Sequence, residues 1–479
     1  MKTNLKSKVI SSLVWKFLER GGVQGIQLII QIILARILTP EDYGVIAIIT
    51  IFITLANVFV QSGFGVALIQ KKDVDEKDLS SVLYLSLVIA TLIYIILFFL
   101  APIIANFYKI PELKNILRVL SITLFFGAFN SVQNSILSKK LEFKKLFITS
   151  FGAVLISGVG SIFMVYSGFG IWTLVYQQLI NQISICAILC FVVKWRPQLT
   201  FSFKRIEELF SFGSKLLLSS LLDVGYENMR GLIIGKFYSP IMLGYYNRGN
   251  QFPLLIVSNF NGSIQSVIFP ALVTEQNDKV RLKKLVRRTI VTSCFIIFPL
   301  MVGLATIAEP FVKLVLTEKW LPCVPYLRIF CISYALWPIH TANLQVINAM
   351  GRSDIFLKLE IIKKIIGVTI LMITLNYGVY IMAVGVLVSG IISSVINSFP
   401  NKKLLDYGYF EQIKDVFPSV ILSIVMGGLI HLFSLLEINI LVIMSIQIFF
   451  GIIIYFFLSY AIKLECLNYL IDIVLKRRD

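Results

Sequence analysis

The sequence is short of charge. Asp, Glu, Lys and Arg supply 15% of its 479 residues, too few to wet a soluble protein of that length. Acids are scarcer than bases, 26 against 44, so a formal net charge of +18 needs an explanation. The six cysteines show no C-x-x-C spacing, which excludes a zinc ribbon or a disulfide framework. Cys186, Cys190 and Cys294 sit inside apolar runs. Cys323 and Cys331 form the one pair with any prospect of a bridge. No H-E-x-x-H or G-x-S-x-G motif occurs, and no acid pair stands on a long external loop. The run GLIIGK at Gly231 to Lys236 is one residue short of a phosphate-binding loop and lacks the following Ser or Thr. Hydrolysis of a nucleotide is therefore not expected, nor is any enzyme activity or cofactor. Energy input, if there is any, would come from a proton or sodium gradient, the membrane potential or the substrate gradient. No cleavable leader is expected either. Lys2, Lys6 and Lys8 are followed by an apolar run that Lys16, Glu19 and Arg20 interrupt.

What the chain has in excess is apolar length. It is 57% hydrophobic with a mean hydropathy of +0.85. Runs of about 20 residues, enough to cross a bilayer core, recur throughout. The expected fold is an all-α polytopic membrane protein with fourteen spans, near 12–35, 44–69, 81–106, 116–137, 146–166, 170–193, 210–236, 241–272, 288–308, 324–349, 355–376, 379–399, 416–435 and 439–462. Pro253 predicts a kink or an unwound turn in the eighth. Connections are too short for a separate folded domain.

Lys and Arg residues concentrate on alternate connections. With both termini cytoplasmic, only Arg36, Lys109, Lys114, Arg118, Lys236, Lys313, Lys319 and Arg328 fall outside. Topology thus absorbs most of the excess positive charge, and a nucleic-acid partner is not expected.

The chain also repeats itself. LARILTPEDYG at Leu34 to Gly44 is answered two hundred residues on by IGKFYSPIMLG at Ile234 to Gly244. Arg36 pairs with Lys236, Thr39 with Ser239, Pro40 with Pro240, Gly44 with Gly244, and upstream Gly25 with Gly225. A base, a hydroxyl, a proline and a glycine at this spacing read as a helix end, a turn and a helix start. Arg118 matches Arg328 and Gly168 matches Gly378 at a slightly longer offset. Two parallel six-span copies follow, 1–200 and 201–402, with 403–479 holding two further spans and a cytoplasmic tail. Such repeats commonly place a substrate site between the halves.

Ionisable residues inside spans are costly and point to function. Span one carries Lys16, Glu19 and Arg20. Its repeat partner, span seven, carries Lys215, Asp223, Glu227 and Arg230, and span eight carries Arg248. Lys16 and Glu19 share a helix face, as do Asp223, Glu227 and Arg230. Bases outnumber acids here. The spans are expected to line a hydrated, cationic cavity for an anionic headgroup, with Lys16, Arg20, Lys215, Arg230 and Arg248 binding. Neutral pairing among these groups is the structural alternative. Glu19, Asp223 and Glu227 are candidates for ion coupling or charge balance. Amides crowd the even-numbered spans, including Asn57, Asn130, Gln133, Gln182, Asn261 and Asn343, as sugar contacts or as glue between helices. His340 reads as an interior histidine with its hydrogen bonds met rather than a proton relay.

LARILTPEDYG followed by SGFGVALIQKK at Ser62 to Lys72 resembles the Wzx-type lipopolysaccharide and exopolysaccharide flippases, in particular their colanic-acid-exporter-like branch, within the multidrug/oligosaccharidyl-lipid/polysaccharide superfamily. The resemblance implies twelve core spans in two lobes, often with two added. It implies alternating access in the bacterial inner membrane, and an undecaprenyl-diphosphate-linked oligosaccharide as substrate, for O-antigen, capsule or exopolysaccharide. Membrane lipids and a polysaccharide polymerase or other synthesis proteins are the implied partners. The turns at Pro40, Gly44, Pro240 and Gly244 would close the outward gate. Three alternatives remain: a drug/cation antiporter of the same superfamily, a membrane polysaccharide polymerase or ligase, which the short loops disfavour, and a non-catalytic membrane partner of a synthesis complex.

Overall fold

The computed structural model describes residues 2–61, 63–276, 278–436 and 438–467, and within them the side chains of all but 2–14, 16–17, 19–20, 211–212, 263 and 266–267. No strand occurs among the described residues. The contacts within the chain divide it into two compact units, the first ending at Gly244 and the second beginning at Tyr245.

The first unit holds α1 (Lys2–Ile37), α2 (Pro40–Gln61), α3 (Phe64–Gln70), α4 (Glu76–Tyr108), α5 (Leu113–Leu120), α6 (Thr123–Lys139), α7 (Phe143–Tyr166), α8 (Trp172–Val192) and α9 (Phe203–Phe237). Here α7 packs on α1 and α8, and α4 packs on α5 and α6. Helix α9 lies along α2, α3 and α4. That packing places α9 in the first unit, whereas the sequence repeat begins its second copy near residue 201. Repeat and packing group α9 differently.

The second unit follows the first turn of α10 (Pro240–Thr274). It holds α11 (Lys279–Thr306), α12 (Ala308–Val315), α13 (Val324–Ala335), α14 (Trp337–Ala349), α15 (Ser353–Thr374), α16 (Val379–Leu405), α17 (Tyr409–Leu432) and α18 (Ile440–Ala461). Helix α11 is its hub, against α13, α14 and α17.

A helix, or a broken pair of helices, lies over every expected span. Nine are long and apolar enough to cross a membrane among the described residues. The other five expected spans fall on α1, α9, α10, α13 with α14, and α15. Charges interrupt α1, α9 and α15, some side chains of α10 lie outside the described residues, and a break after Ala335 divides α13 from α14. Pro253 does not unwind α10, whose helical backbone continues past it. A proline removes a single ladder bond, which a packed membrane helix tolerates. Another break was not expected: Gly63 takes φ +67° and divides α2 from α3.

Candidate functional site

The repeated turn is a helix start of one design used twice. Thr39 caps α2 in a reciprocal box: its hydroxyl accepts from the Asp42 amide at 3.2 Å, and the Asp42 carboxylate accepts from the Thr39 amide at 2.8 Å. Ser239 accepts from the Met242 amide at 3.2 Å at the start of α10. Pro40 and Pro240 then take the first helical position, where no amide hydrogen is needed. The glycines explain the rest of the spacing. A Cβ on Gly44 would overlap the Pro240 carbonyl, and a Cβ on Gly244 would overlap the Pro40 carbonyl. The two helix starts therefore cross in contact, each using its glycine to admit the other's backbone.

Below that crossing, α9 is held along its length. Gly231 and Gly235 sit against Ile51 and Ile48 of α2. Lys236 donates to the Phe107 carbonyl and stands 3.8 Å over the Phe107 ring. At the opposite end an ion cluster joins α9 to α3 and α4. Lys71 meets Asp78 at 2.9 Å and Glu208 at 3.4 Å, while Arg205 meets Asp75 at 2.9 Å. Asp78 is fully buried. Lys71 is the last but one residue of the second sequence motif, so the SGFGVALIQKK stretch becomes a short helix and an anchor; its Ser62 lies outside the described residues. Sequence reasoning missed this cluster because Arg205 and Glu208 lie more than a hundred residues from their partners.

Between these ends α9 turns a polar stripe to open space. Lys215, Asp223 and Glu227 are exposed and Arg230 is half-buried. The unbroken helix keeps Asp223, Glu227 and Arg230 on one face, as their spacing requires. Asp223 and Glu227 are each engaged with another group. Lys215 and Arg230 make no ion pair among the described residues, so the Glu227–Arg230 spacing does not yield a bridge. The repeat-related Gly25 and Gly225 both face empty space, with no atom within 4 Å of a Cβ built there. Neither glycine is explained by close packing. Helix α1 runs unbroken through Lys16, Glu19 and Arg20, whose side chains lie outside the described residues.

Arg248 has a different setting, in the second unit. It is 4% exposed, donates to Gln251 at 2.6 Å, and lies 5.0 Å over the ring of fully buried Trp320. Gly249 beside it is pressed against Tyr326 and Cys323. In this conformation Arg248 is a packed residue of the second unit.

Many of the amides bind helix to helix. Asn130 meets Gln182 at 3.1 Å across α6 and α8. Asn343 is held by Gln412 at 2.8 Å and Asn401 at 2.6 Å, joining α14, α17 and α16. His340 is buried and shares a 3.3 Å hydrogen bond with Asn397. Cys323 and Cys331 are both free. Among the described residues no cluster could hold a metal ion.

Residues 33–325 match a family model described as polysaccharide biosynthesis protein. The chain is 28% identical over 356 residues to the teichuronic acid biosynthesis protein TuaB of Bacillus subtilis, covering 74% of this chain and 73% of that protein. It is 23% identical over 422 residues to the lipopolysaccharide biosynthesis protein WzxC of Escherichia coli, covering 87% and 83%. Its fold is similar to an inward closed structure of the lipid II flippase MurJ, with a TM-score of 0.76 at 20% identity, covering 95% of this chain and 98% of that one. An inward-facing multidrug transporter of the MATE family gives a TM-score of 0.60 at 14% identity, covering 80% and 94%.

Proposed function

The chain belongs to the polysaccharide biosynthesis protein family, and from that premise we propose that it is a flippase. It moves an undecaprenyl-diphosphate-linked oligosaccharide across the bacterial inner membrane by alternating access, for a surface polysaccharide. The observation that carries this reading is the exposed stripe of α9, where Lys215 and Arg230 stand in an apolar helix without an acid partner among the described residues. A base in that setting gains most from an anion that arrives and leaves, such as a diphosphate. MurJ, whose fold is similar, is a flippase of lipid II, which agrees with this chemistry. Lys16 and Arg20, on the repeat-related helix, complete the diphosphate site. Arg248 contributes by holding α10 in place. The crossed starts of α2 and α10 form the outward gate, both termini are cytoplasmic, and Glu19, Asp223 and Glu227 balance the bases or bind the coupling ion. The two sequence copies, 1–200 and 201–402, act as the rocking lobes. The protein is a carrier without a chemical step of its own. A multidrug transporter has a similar fold, but a site lined by bases suits organic cations poorly.

The test is transport in sealed vesicles holding the lipid-linked oligosaccharide. The parent should translocate it, and Arg20→Ala with Arg230→Ala should lower the rate at least tenfold at equal expression. Equal rates in parent and double variant would refute the cationic site.

A further inference from the structure

The second unit contains a cavity with no assigned use. It opens between α17 and the wall made by α11, α13, the start of α14 and α16, with a volume of about 950 Å³. That is some thirty times the ~30 Å³ a water takes in the liquid, far more than a free anion needs. Its wall is apolar, with Met301, Ile332, Leu336, Ile391, Phe417 and Ile424 along it. A pair of glycines on α17 makes the space. A Cβ on Gly427 would press on Val302 at 2.6 Å, so α17 approaches α11 closely there. The next residue, Gly428, faces empty space, with no atom within 4 Å.

One end of the cavity is polar. Arg328 and His431 line it there, beside Thr306, and both are exposed. The repeat shows what is unusual about Arg328. Its counterpart in the first unit, Arg118, donates its Nε to the Phe98 carbonyl at 3.2 Å and is covered by the Phe98 ring at 3.9 Å. Arg328 makes the same bond, Nε to the Ala305 carbonyl at 3.2 Å, but alanine offers no ring to cover it. Arg328 makes no ion pair among the described residues. A cation that one copy caps is thus left open in the other, at the head of an apolar groove that α17, a helix outside the repeat, creates.

We propose that this groove is a binding site for one membrane phospholipid with an anionic headgroup, its phosphate on Arg328 and an acyl chain between α17 and α16. Surrounding lipid tails are as apolar as the groove, so the chain gains little by entering and the headgroup charge selects the occupant. This inference does not rest on the transport reading.

The test uses the full chain in nanodiscs of phosphatidylcholine. A phosphatidylglycerol carrying a photoactivatable group in its acyl chain is added, and adducts are mapped by mass spectrometry. Adducts should gather on α13, α16 and α17 around the groove. Unlabelled phosphatidylglycerol should compete and phosphatidylcholine should not. Arg328→Ala should lower labelling about fivefold, the share of one near-surface charge, and Arg328→Lys should restore much of it. Gly428→Leu adds a side chain where a Cβ meets no atom within 4 Å, and should block labelling while leaving Arg328 in place. Labelling spread over the lipid-facing surface, or unchanged in Arg328→Ala and Gly428→Leu, would overturn the site. Displacement of the probe by a polyprenyl diphosphate ahead of phosphatidylglycerol would overturn it too, and would give the groove to the transported lipid.

Discussion

Arg230 and Arg248 are both arginines set in apolar helices eighteen residues apart, and the structure gives them opposite surroundings. Arg230 is half-buried on an open stripe, while Arg248 is sealed between Gln251 and Trp320. Their truncations should separate cleanly. Arg230→Ala should leave the thermal midpoint of the purified protein nearly unchanged and cut transport about tenfold, the effect of one charge-assisted hydrogen bond to a phosphate. Arg248→Ala should behave in reverse. It strips a buried charged bond and a cation–π contact and leaves Gln251 without that partner, a loss of about 2–4 kcal/mol. Thermal unfolding and transport per folded molecule, measured on both variants, check the contrast. The same two arginines mark how far residue identity alone reaches. Both are costly in a span, so both appear as site candidates in the sequence. Whether a wall of tryptophan covers one of them is a tertiary fact.

At the scale of helices, the crossing of α2 and α10 depends on two glycines and nothing longer. Gly44→Leu should drive the two helix starts apart, because the added side chain has only the Pro240 backbone to enter. Transport should fall to background. A cysteine introduced at exposed Ile241 should become more reactive to an impermeant maleimide added from outside than it is in the parent fold. A Gly44→Leu variant with parental transport and parental Ile241→Cys reactivity would contradict a closing role for the crossing. The ion cluster at the other end of α9 offers a graded test. Asp78 is fully buried and its partner Lys71 is partly buried, whereas Glu208 is about half exposed. Removing one member of a buried pair strands the other. Asp78→Ala should therefore cost about 3–5 kcal/mol, and Glu208→Ala less than about 1 kcal/mol. Denaturation of the two variants side by side gives the answer.

At the scale of the whole molecule the open question is what drives the cycle. Asp223 and Glu227 are exposed acids on the same helix as Lys215 and Arg230. If they bind the coupling ion, a proton or sodium gradient should accelerate transport by the parent. Asp223→Asn with Glu227→Gln should then transport at the parent's gradient-free rate whether or not a gradient is applied. A double variant that still responds to the gradient assigns the two acids to charge balance alone.

Much of this protein is set by its sequence without any fold. Long apolar runs dictate membrane helices because a bilayer tolerates no unpaired backbone. The offset turns dictate a duplicated unit because hydroxyl, proline and glycine each satisfy a local requirement of a helix start. These are short-range constraints, readable over a few residues. The tertiary structure decided what depends on residues far apart: that Gly44 and Gly244 face each other, that Asp78 is buried under Lys71, that α9 lies with the first unit, that Arg248 is packed under Trp320 while Arg328 is open. Each of these is a matter of which surface meets which, and burial is a property of the neighbours as much as of the residue.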